Sequence, residues 1–379
     1  MSPKIAIQKA STYNPEEVYN AIKAAIDLLG GMSFFVKEGE RILIKPNLLS
    51  AKPPEAAITT HPSGVGAGIR LVKEAGANPF VGDSPGVGGA LRVATRAGIL
   101  EVCQEMGVEV VDFTESIELD NPKGKTFKRL QVAREVVEAD GVINLPKLKT
   151  HTQMLLTLCV KNMFGCVVGK RKPQWHLAAG VDRDAFARML VDLYLLLQPR
   201  LTIVDGVVGM EGNGPGTSGD PRSIGLIFAS LDCIAMDAVI TEVLGMKAEA
   251  LFTTRVARAD GLGETMLERI GVLGERVEDV RIKDFKFPAL EGVMWELGMP
   301  DTVEAYLRKT LTPRPFIEHE RCTLCRLCIE VCPPKVMSLV EGTIEIDHDG
   351  CIRCFCCQEM CPEGAITVKE GWISKLLVR

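Results

Sequence analysis

Nine of the chain's thirteen cysteines lie between Cys322 and Cys361, and their spacing is regular. Cys322, Cys325, Cys328 and Cys332 follow C-x2-C-x2-C-x3-C and precede Pro333. Cys351, Cys354, Cys357 and Cys361 repeat the spacing and precede Pro362. Three thiolates this close can wrap three corners of an iron–sulfur cubane, while the fourth leaves the loop at the proline. Zinc wants four ligands in two pairs, so two complete four-cysteine runs fit iron better. Cys356 is surplus to both runs and reads as a small buried residue. This segment would carry electrons, and what receives them must be sought elsewhere in the chain.

The second concentration is cationic. From Gly141 to Val181 there is no Asp or Glu, where the chain average would place roughly five. The same stretch carries Lys147, Lys149, Lys161, Lys170, Arg171 and Lys172, with His151 and His176. Lys147, Lys149 and His151 directly follow a strand-like run, where cations would hold a carboxylate or phosphate. The alternative is a solvated basic loop. In the first reading Lys147, Lys149, Lys161 and Asn162 position an anion and His151 donates a proton. His176, beside Trp175, is either structural or part of the site. Pro46 lacks an N–H and stops the RILI strand, turning Lys45 and Asn47 toward the same rim. Asp83 is a metal ligand, a general base or a helix N-cap. Asp205, Glu211 and Asn213 lie in a glycine-rich run that either approaches a ligand or moves freely. Asp205 and Glu211 could supply acid–base chemistry or hold a divalent cation.

Strand-like and helix-like runs alternate along the elements that must carry these residues. Lys4–Lys9, Arg41–Lys45, Pro79–Gly82, Val108–Phe113, Gly141–Leu145, Leu201–Asp205 and Ile224–Ala229 read as strands. Pro15–Leu29, Ser63–Ala75, Ala90–Met106, Leu155–Val168, Arg183–Gln198 and Ile234–Leu244 read as helices. The alternation predicts an α/β fold: a doubly wound, mostly parallel sheet with a small α+β domain behind it. Such sheets bind ligands at the carboxyl ends of their strands. The expected division is a body at 1–282, a helical linker at 283–312 with its helix at Thr302–Lys309, and a cysteine-rich domain at 313–379. Cys159 and Cys166 would pack within a helix.

Composition narrows the classes. Apolar residues make up 46% and charged residues 25%, with a net charge of −5. That is the balance of a globular chain, and it argues against nucleic acid as a partner. No apolar run approaches the ~20 residues of a membrane span. The first residues lack a signal-peptide core, so a cytoplasmic location is expected. Gly64-Val-Gly66 and Gly86-Val-Gly88 fail the dinucleotide fingerprint, and Gly165–Arg171 falls short of a P-loop.

Lys45-Pro-Asn-Leu-Leu, Gly82-Asp-Ser-Pro-Gly, Asn144-Leu-Pro-Lys-Leu-Lys-Thr-His151, Lys161-Asn-Met-Phe-Gly165, Asp205-Gly206, Gly209-Met-Glu-Gly212, Ser230-Leu-Asp and Ala235-Met-Asp237 occur in that order. Over residues 5–250 this set resembles the ferredoxin-fused members of number 362 in the domain-of-unknown-function series. Over 313–372 the chain resembles bacterial two-cluster ferredoxins. That resemblance implies two [4Fe-4S] clusters with crossed ligation. Cys322, Cys325, Cys328 and Cys361 would hold one, and Cys351, Cys354, Cys357 and Cys332 the other. The first resemblance supports the layout and the marked residues but supplies no reaction. The expectation is an oxidoreductase moving electrons between the clusters and a small anionic substrate or cofactor in the body. The alternative is an electron carrier or docking module for a redox partner protein.

Overall fold

The computed structural model describes residues 2–288 and 313–369, so the helix expected at Thr302–Lys309 lies outside the described residues. The body is built on a ten-stranded mixed sheet. Its first strands are β1 (Lys4–Lys9), β2 (Arg41–Pro46), β3 (Asn78–Asp83) and β4 (Val110–Asp112). A separate hairpin, β5 (Ser116–Asp120) and β6 (Arg129–Ala133), follows. The sheet resumes with β7 (Gly141–Leu145), β8 (Lys147–His151), β9 (Leu155–Thr157), β10 (Leu201–Gly212), β11 (Gly219–Ser230) and β12 (Gly271–Gly274). The order is β12-β1-β11-β10-β7-β2-β3-β4, with β8 attached to β10 and β9 to β8. Most pairs are parallel; β1–β11, β10–β11 and β8–β9 are antiparallel.

The central strands are apolar on both faces because both are covered. Along β2, Ile42 and Ile44 join one core with Val65 and Ile69. Leu43, between them, joins another with Phe80 and Phe113. Helices Pro15–Asp27 and Pro62–Glu74 supply the first layer. Arg183–Leu197 and Cys233–Val243 supply the opposite one, packed on Val204 and Phe228. From β2 the chain steps outward through β3 to β4, whereas β7 returns to the other flank of β2. Connections diverge there, and a doubly wound sheet opens its crevice at such a point.

Three stretches differ from the periodicity reading. The helix expected over Ala90–Met106 is two helices, Ala90–Arg96 and Ile99–Glu105, divided at Gly98 with φ +72°. The helix expected over Leu155–Val168 begins instead as β9, which pairs with β8, and only Cys159–Asn162 is α-helical. An apolar run this short has no periodicity that separates the two outcomes. The Asp237 carboxylate decides where the turn starts by accepting the backbone N–H groups of Cys159 (2.8 Å) and Val160 (3.2 Å). Third, Lys147–His151 is neither a loop nor solvated: it is strand β8, and every residue in it is buried.

The cysteine-rich domain pairs β13 (Arg314–Ile317) with β16 (Ile366–Lys369), and β14 (Met337–Val340) with β15 (Thr343–Ile346). Two five-residue helices, Leu327–Val331 and Cys356–Met360, pack between them. Its halves repeat in backbone as well as in sequence. Leu324, Arg326 and Lys335 have φ of 56°, 63° and 57°, and their counterparts Arg353, Phe355 and Gly364 have 55°, 58° and 58°. Only one of these six is glycine, so the left-handed turns are held against an intrinsic cost of about 1 kcal/mol each.

Candidate functional site

The carboxyl ends of β2 and β3, with β8 and β9, border a cleft of about 790 Å³, open solvent included. The body contributes Asn47, Asp83, Ser84, Lys149, Thr157, Lys161, Asn162, Phe164, Lys172 and His176 to its lining. The opposite wall is the cysteine-rich domain, through Val331, Cys356, Glu359 and Met360.

Strand β8 sets three basic side chains as stations at period two, so that Lys147, Lys149 and His151 share one face with successive residues about 7 Å apart. Lys147 does not reach the cleft. Its Nζ lies 2.9 Å from Asp205 Oδ2 and 2.5 Å from the Tyr13 hydroxyl, which itself donates to Asp205 Oδ1 at 2.7 Å. Tyr13 stacks on His61 with ring centroids 3.5 Å apart. Lys147 and Asp205 are therefore spent on each other in a closed network. Burial pushes the Lys147 ammonium below its usual range, against the pull of Asp205.

Lys149 is the station at the cleft. Its Nζ donates to Asn47 Oδ1 (2.7 Å) and to the Ile58 carbonyl (2.6 Å), leaving one N–H for a ligand. Asn47 Nδ2 then donates to Asn162 Oδ1 (2.8 Å), and Asn162 Nδ2 to Asn144 Oδ1 (2.8 Å). Asn144 Nδ2 ends the chain on the Cys159 carbonyl (3.1 Å). Each amide thus fixes the next, and none can flip without losing its partner. Burial lowers Lys149 to about 7, opposed by the charge of Glu359.

His151 is the station against the cysteine-rich domain. Its Nδ1 accepts from the backbone N–H groups of Gln153 (3.1 Å) and Met154 (3.3 Å), so the proton resides on Nε2. That Nε2 has no hydrogen-bond partner and points toward Glu359, 3.9 Å away. Burial and then the nearby Lys161 hold the ring neutral, far from the imidazolium a proton donor would need.

Lys45 and Asp83 form a buried ion pair at 2.9 Å, with exposures of 0% and 3%. Asp83 also accepts the Leu48 N–H at 2.7 Å. Asp83 does not cap the next helix, whose N-cap Gly89 has no side-chain hydrogen bond. Gly165 lies against this pair. A Cβ there would fall on the Asp83 carboxylate and 2.5 Å from Lys45 Nζ. Gly165→Ala is therefore expected to force the pair apart and lower stability by about 3 kcal/mol. A thermal midpoint equal to the parent protein's would refute this.

Lys161 lines the cleft, and among the described residues its ammonium has no hydrogen bond or ion pair. It sits 5.2 Å from the Phe164 ring centroid. Lys172 Nζ donates to the Ser84 carbonyl and sits 5.9 Å from the same centroid. His176 meets that ring edge-on at 5.7 Å, and its buried Nδ1 has no partner. Burial lowers Lys161, brings Lys172 to about 8 and brings His176 to about 3. Glu211 and Asn213 lie away from the cleft. Glu211 accepts the Lys286 N–H at 3.2 Å, and the Asn213 carbonyl accepts from Gln358 Nε2 at 2.7 Å.

Cys322, Cys325, Cys328 and Cys361 surround one small cavity. Cys332, Cys351, Cys354 and Cys357 surround a second. The left-handed turns curl backbone N–H groups toward sulfur: Arg353 N–H reaches Cys351 Sγ at 3.4 Å, and Ala365 N–H reaches Cys361 Sγ at 3.3 Å. Four sulfur donors with N–H groups turned toward them suit a [4Fe-4S] cluster. Helix Cys356–Met360 divides the second cavity from the cleft. Cys356, Glu359 and Met360 face the cleft, and Cys357 faces the second cavity. The domain is fastened to the body nearby, where Lys52 Nζ donates to the Pro362 carbonyl and Thr217 Oγ1 to the Cys361 carbonyl, both at 2.8 Å.

Sequence reasoning left Lys172, Glu359 and Cys356 out of the site. Lys172 belonged to the acid-free stretch, which was a usable signal. Glu359 and Cys356 lie inside the cysteine repeat, where nothing in the spacing marks a residue as facing outward.

A family model described as a domain of unknown function, DUF362, matches residues 42–242. A second, described as a 4Fe-4S dicluster domain, matches residues 314–362. The chain is 40% identical over 268 residues to the thylakoid-associated protein sll1697 of Synechocystis sp., covering 71% of this chain and 83% of that one. It also matches the lactate racemase apoprotein of Thermoanaerobacterium thermosaccharolyticum at 10% identity and a TM-score of 0.41, over 60% of this chain and 54% of that chain.

Proposed function

This chain belongs to the DUF362 family and carries a 4Fe-4S dicluster domain, and from that premise we propose that it is an oxidoreductase acting on an anionic substrate or cofactor held in the cleft. The dicluster domain makes it an iron–sulfur electron-transfer protein. Among the described residues no helix is long and apolar enough to cross a membrane.

One observation carries the proposal: a single five-residue helix lines both the cleft and a four-cysteine cavity. In this reading the cysteines around the two cavities hold two [4Fe-4S] clusters, which would supply one-electron transfer at low potential. The body's residues do the rest. Lys149 and Lys161 draw in the anion, and the Asn47–Asn162–Asn144 chain fixes the direction of Lys149. The Lys45–Asp83 pair keeps its own charges out of the cleft. His151, held neutral with Nε2–H toward Glu359, orients that carboxylate instead of protonating substrate. Cys325 is exposed beside Leu324, itself 41% exposed, and offers a place for an external redox partner.

Lys149→Ala is expected to abolish anion retention and to leave iron content unchanged. Anaerobic native mass spectrometry of the purified holoprotein reads both: a small-anion adduct on the parent chain, and none on the variant. Equal adducts on the two chains, or none on either, would count against the cleft as a substrate site and favour a pure electron carrier. Proton linkage gives a second readout. Lys149, faced by Glu359, Lys161, Lys147 and Asp83, is charged in the free protein only below about pH 7. An anion that needs the charged form binds best below that pH. Its affinity falls by up to about tenfold per pH unit above it, as the proton must be taken up on binding.

A further inference from the structure

We propose that the cleft holds its occupant by a dianionic phosphoryl group, seated at the corner formed by Lys161, Lys172 and His176. This rests on the reading of the cleft as an anion site and adds the chemical class.

The first argument is charge balance. Among the lining residues, Asp83 is already paired with Lys45. Lys149, Lys161 and Lys172 then face one carboxylate, Glu359. With all three lysines protonated, three cations against one anion leave an excess of about two positive charges in the cleft, and an occupant of charge about −2 would offset that excess and favour the protonated forms. The second argument is convergence. Lys161 and Lys172 approach one ring, Phe164, at 5.2 and 5.9 Å, and His176 packs on its edge. Two charges concentrated at one corner suit one tetrahedral dianion better than two carboxylates held apart. The third is unmet hydrogen bonding. His176 and Thr157 both line the cleft, are each 4% exposed, and keep Nδ1 and Oγ1 without a partner. Buried polar atoms are rarely left so, and a ligand with three free oxygens would satisfy them. Leu48, Pro173 and Met360 complete an apolar remainder for the rest of the molecule.

Anaerobic calorimetric titration of the holoprotein with inorganic phosphate, succinate and acetate tests the class. Phosphate is expected to bind most tightly of the three. Lys161→Met and Lys172→Met should each weaken it about tenfold to a hundredfold, and Lys161→Arg should restore most of the loss. The iron content and cluster spectra of every variant are read alongside, so that misfolding is seen as such. Preference for succinate or acetate would overturn the phosphoryl assignment and leave the cleft an anion site. Binding of none of the three would overturn both. Phosphate binding that survives both lysine substitutions in folded holoprotein would place the ion elsewhere and overturn the assignment.

Discussion

Cys332→Ala and Cys351→Ala are expected to lose the same iron, although the two residues belong to different cysteine runs. Each should fall from about eight iron atoms per chain to about four, while Cys361→Ala should lose the other four. The expectation follows from how the chain folds back. Cys332 lies with Cys351, Cys354 and Cys357 around one cavity, and Cys361 lies with Cys322, Cys325 and Cys328 around the other. The proline after each fourth cysteine, Pro333 or Pro362, and the left-handed residue three beyond the cysteine, Lys335 or Gly364, carry it out of its own loop. Iron and sulfide analysis with electron paramagnetic resonance of the reduced protein separates the two halves. Pairing of Cys332→Ala with Cys322→Ala in the spectra would sink crossed ligation.

Lys45→Met should be among the most damaging single changes in the body, costing about 3–5 kcal/mol. The lysine is fully buried, and its removal strands the Asp83 carboxylate at 3% exposure with the Leu48 N–H as its remaining partner. The double variant Lys45→Met/Asp83→Asn should recover most of the loss. It removes both charges and keeps a carbonyl oxygen for Leu48. The contrast between single and double variants distinguishes a charge effect from a packing effect, because the packing change at position 45 is common to both. Urea denaturation of the holoprotein provides the comparison. A double variant no more stable than the single would mean that the methionine itself is the fault.

The layered body was legible because alternation carries it. Strands of branched apolar residues and amphipathic helices such as Pro15–Asp27 follow their own periods. The crevice rim was legible for a related reason: Lys45, Asn47, Asp83 and Lys149 stand just past apolar runs, where a doubly wound sheet ends its strands. What escaped was pairing. Lys147 and Asp205 both had the residue type of a ligand-binding group, and only β8 lying parallel to β10, with Asp205 opposite Lys147, shows that they satisfy each other. The strand nature of β8 escaped because the run is short and both its faces are buried. Leu148 joins the apolar core, while Lys147, Lys149 and His151 take the face that in an ordinary half-buried strand would meet solvent. Helix Leu155–Val168 was misread because a long-range carboxylate, Asp237, sets where that turn begins. The outward face of Cys356–Met360 has no local signature at all, since it depends on how two domains dock.

That docking makes the cysteine cavities and the cleft one piece of architecture. Gly216 and Gly86 lie so close to the short helix that a Cβ would stand 2.6 Å from the Glu359 carbonyl and 2.9 Å from Met360 Sδ. The helix itself is one turn and a fraction long, too short to persist alone, so the cysteines on either side of it must be tethered for it to keep its shape. A chain whose cysteines are not tethered would keep the body's wall of the cleft and lose the wall opposite. On the proposed reading, anion binding and cluster assembly are then coupled: the cleft is complete only in a copy whose cysteines hold their clusters.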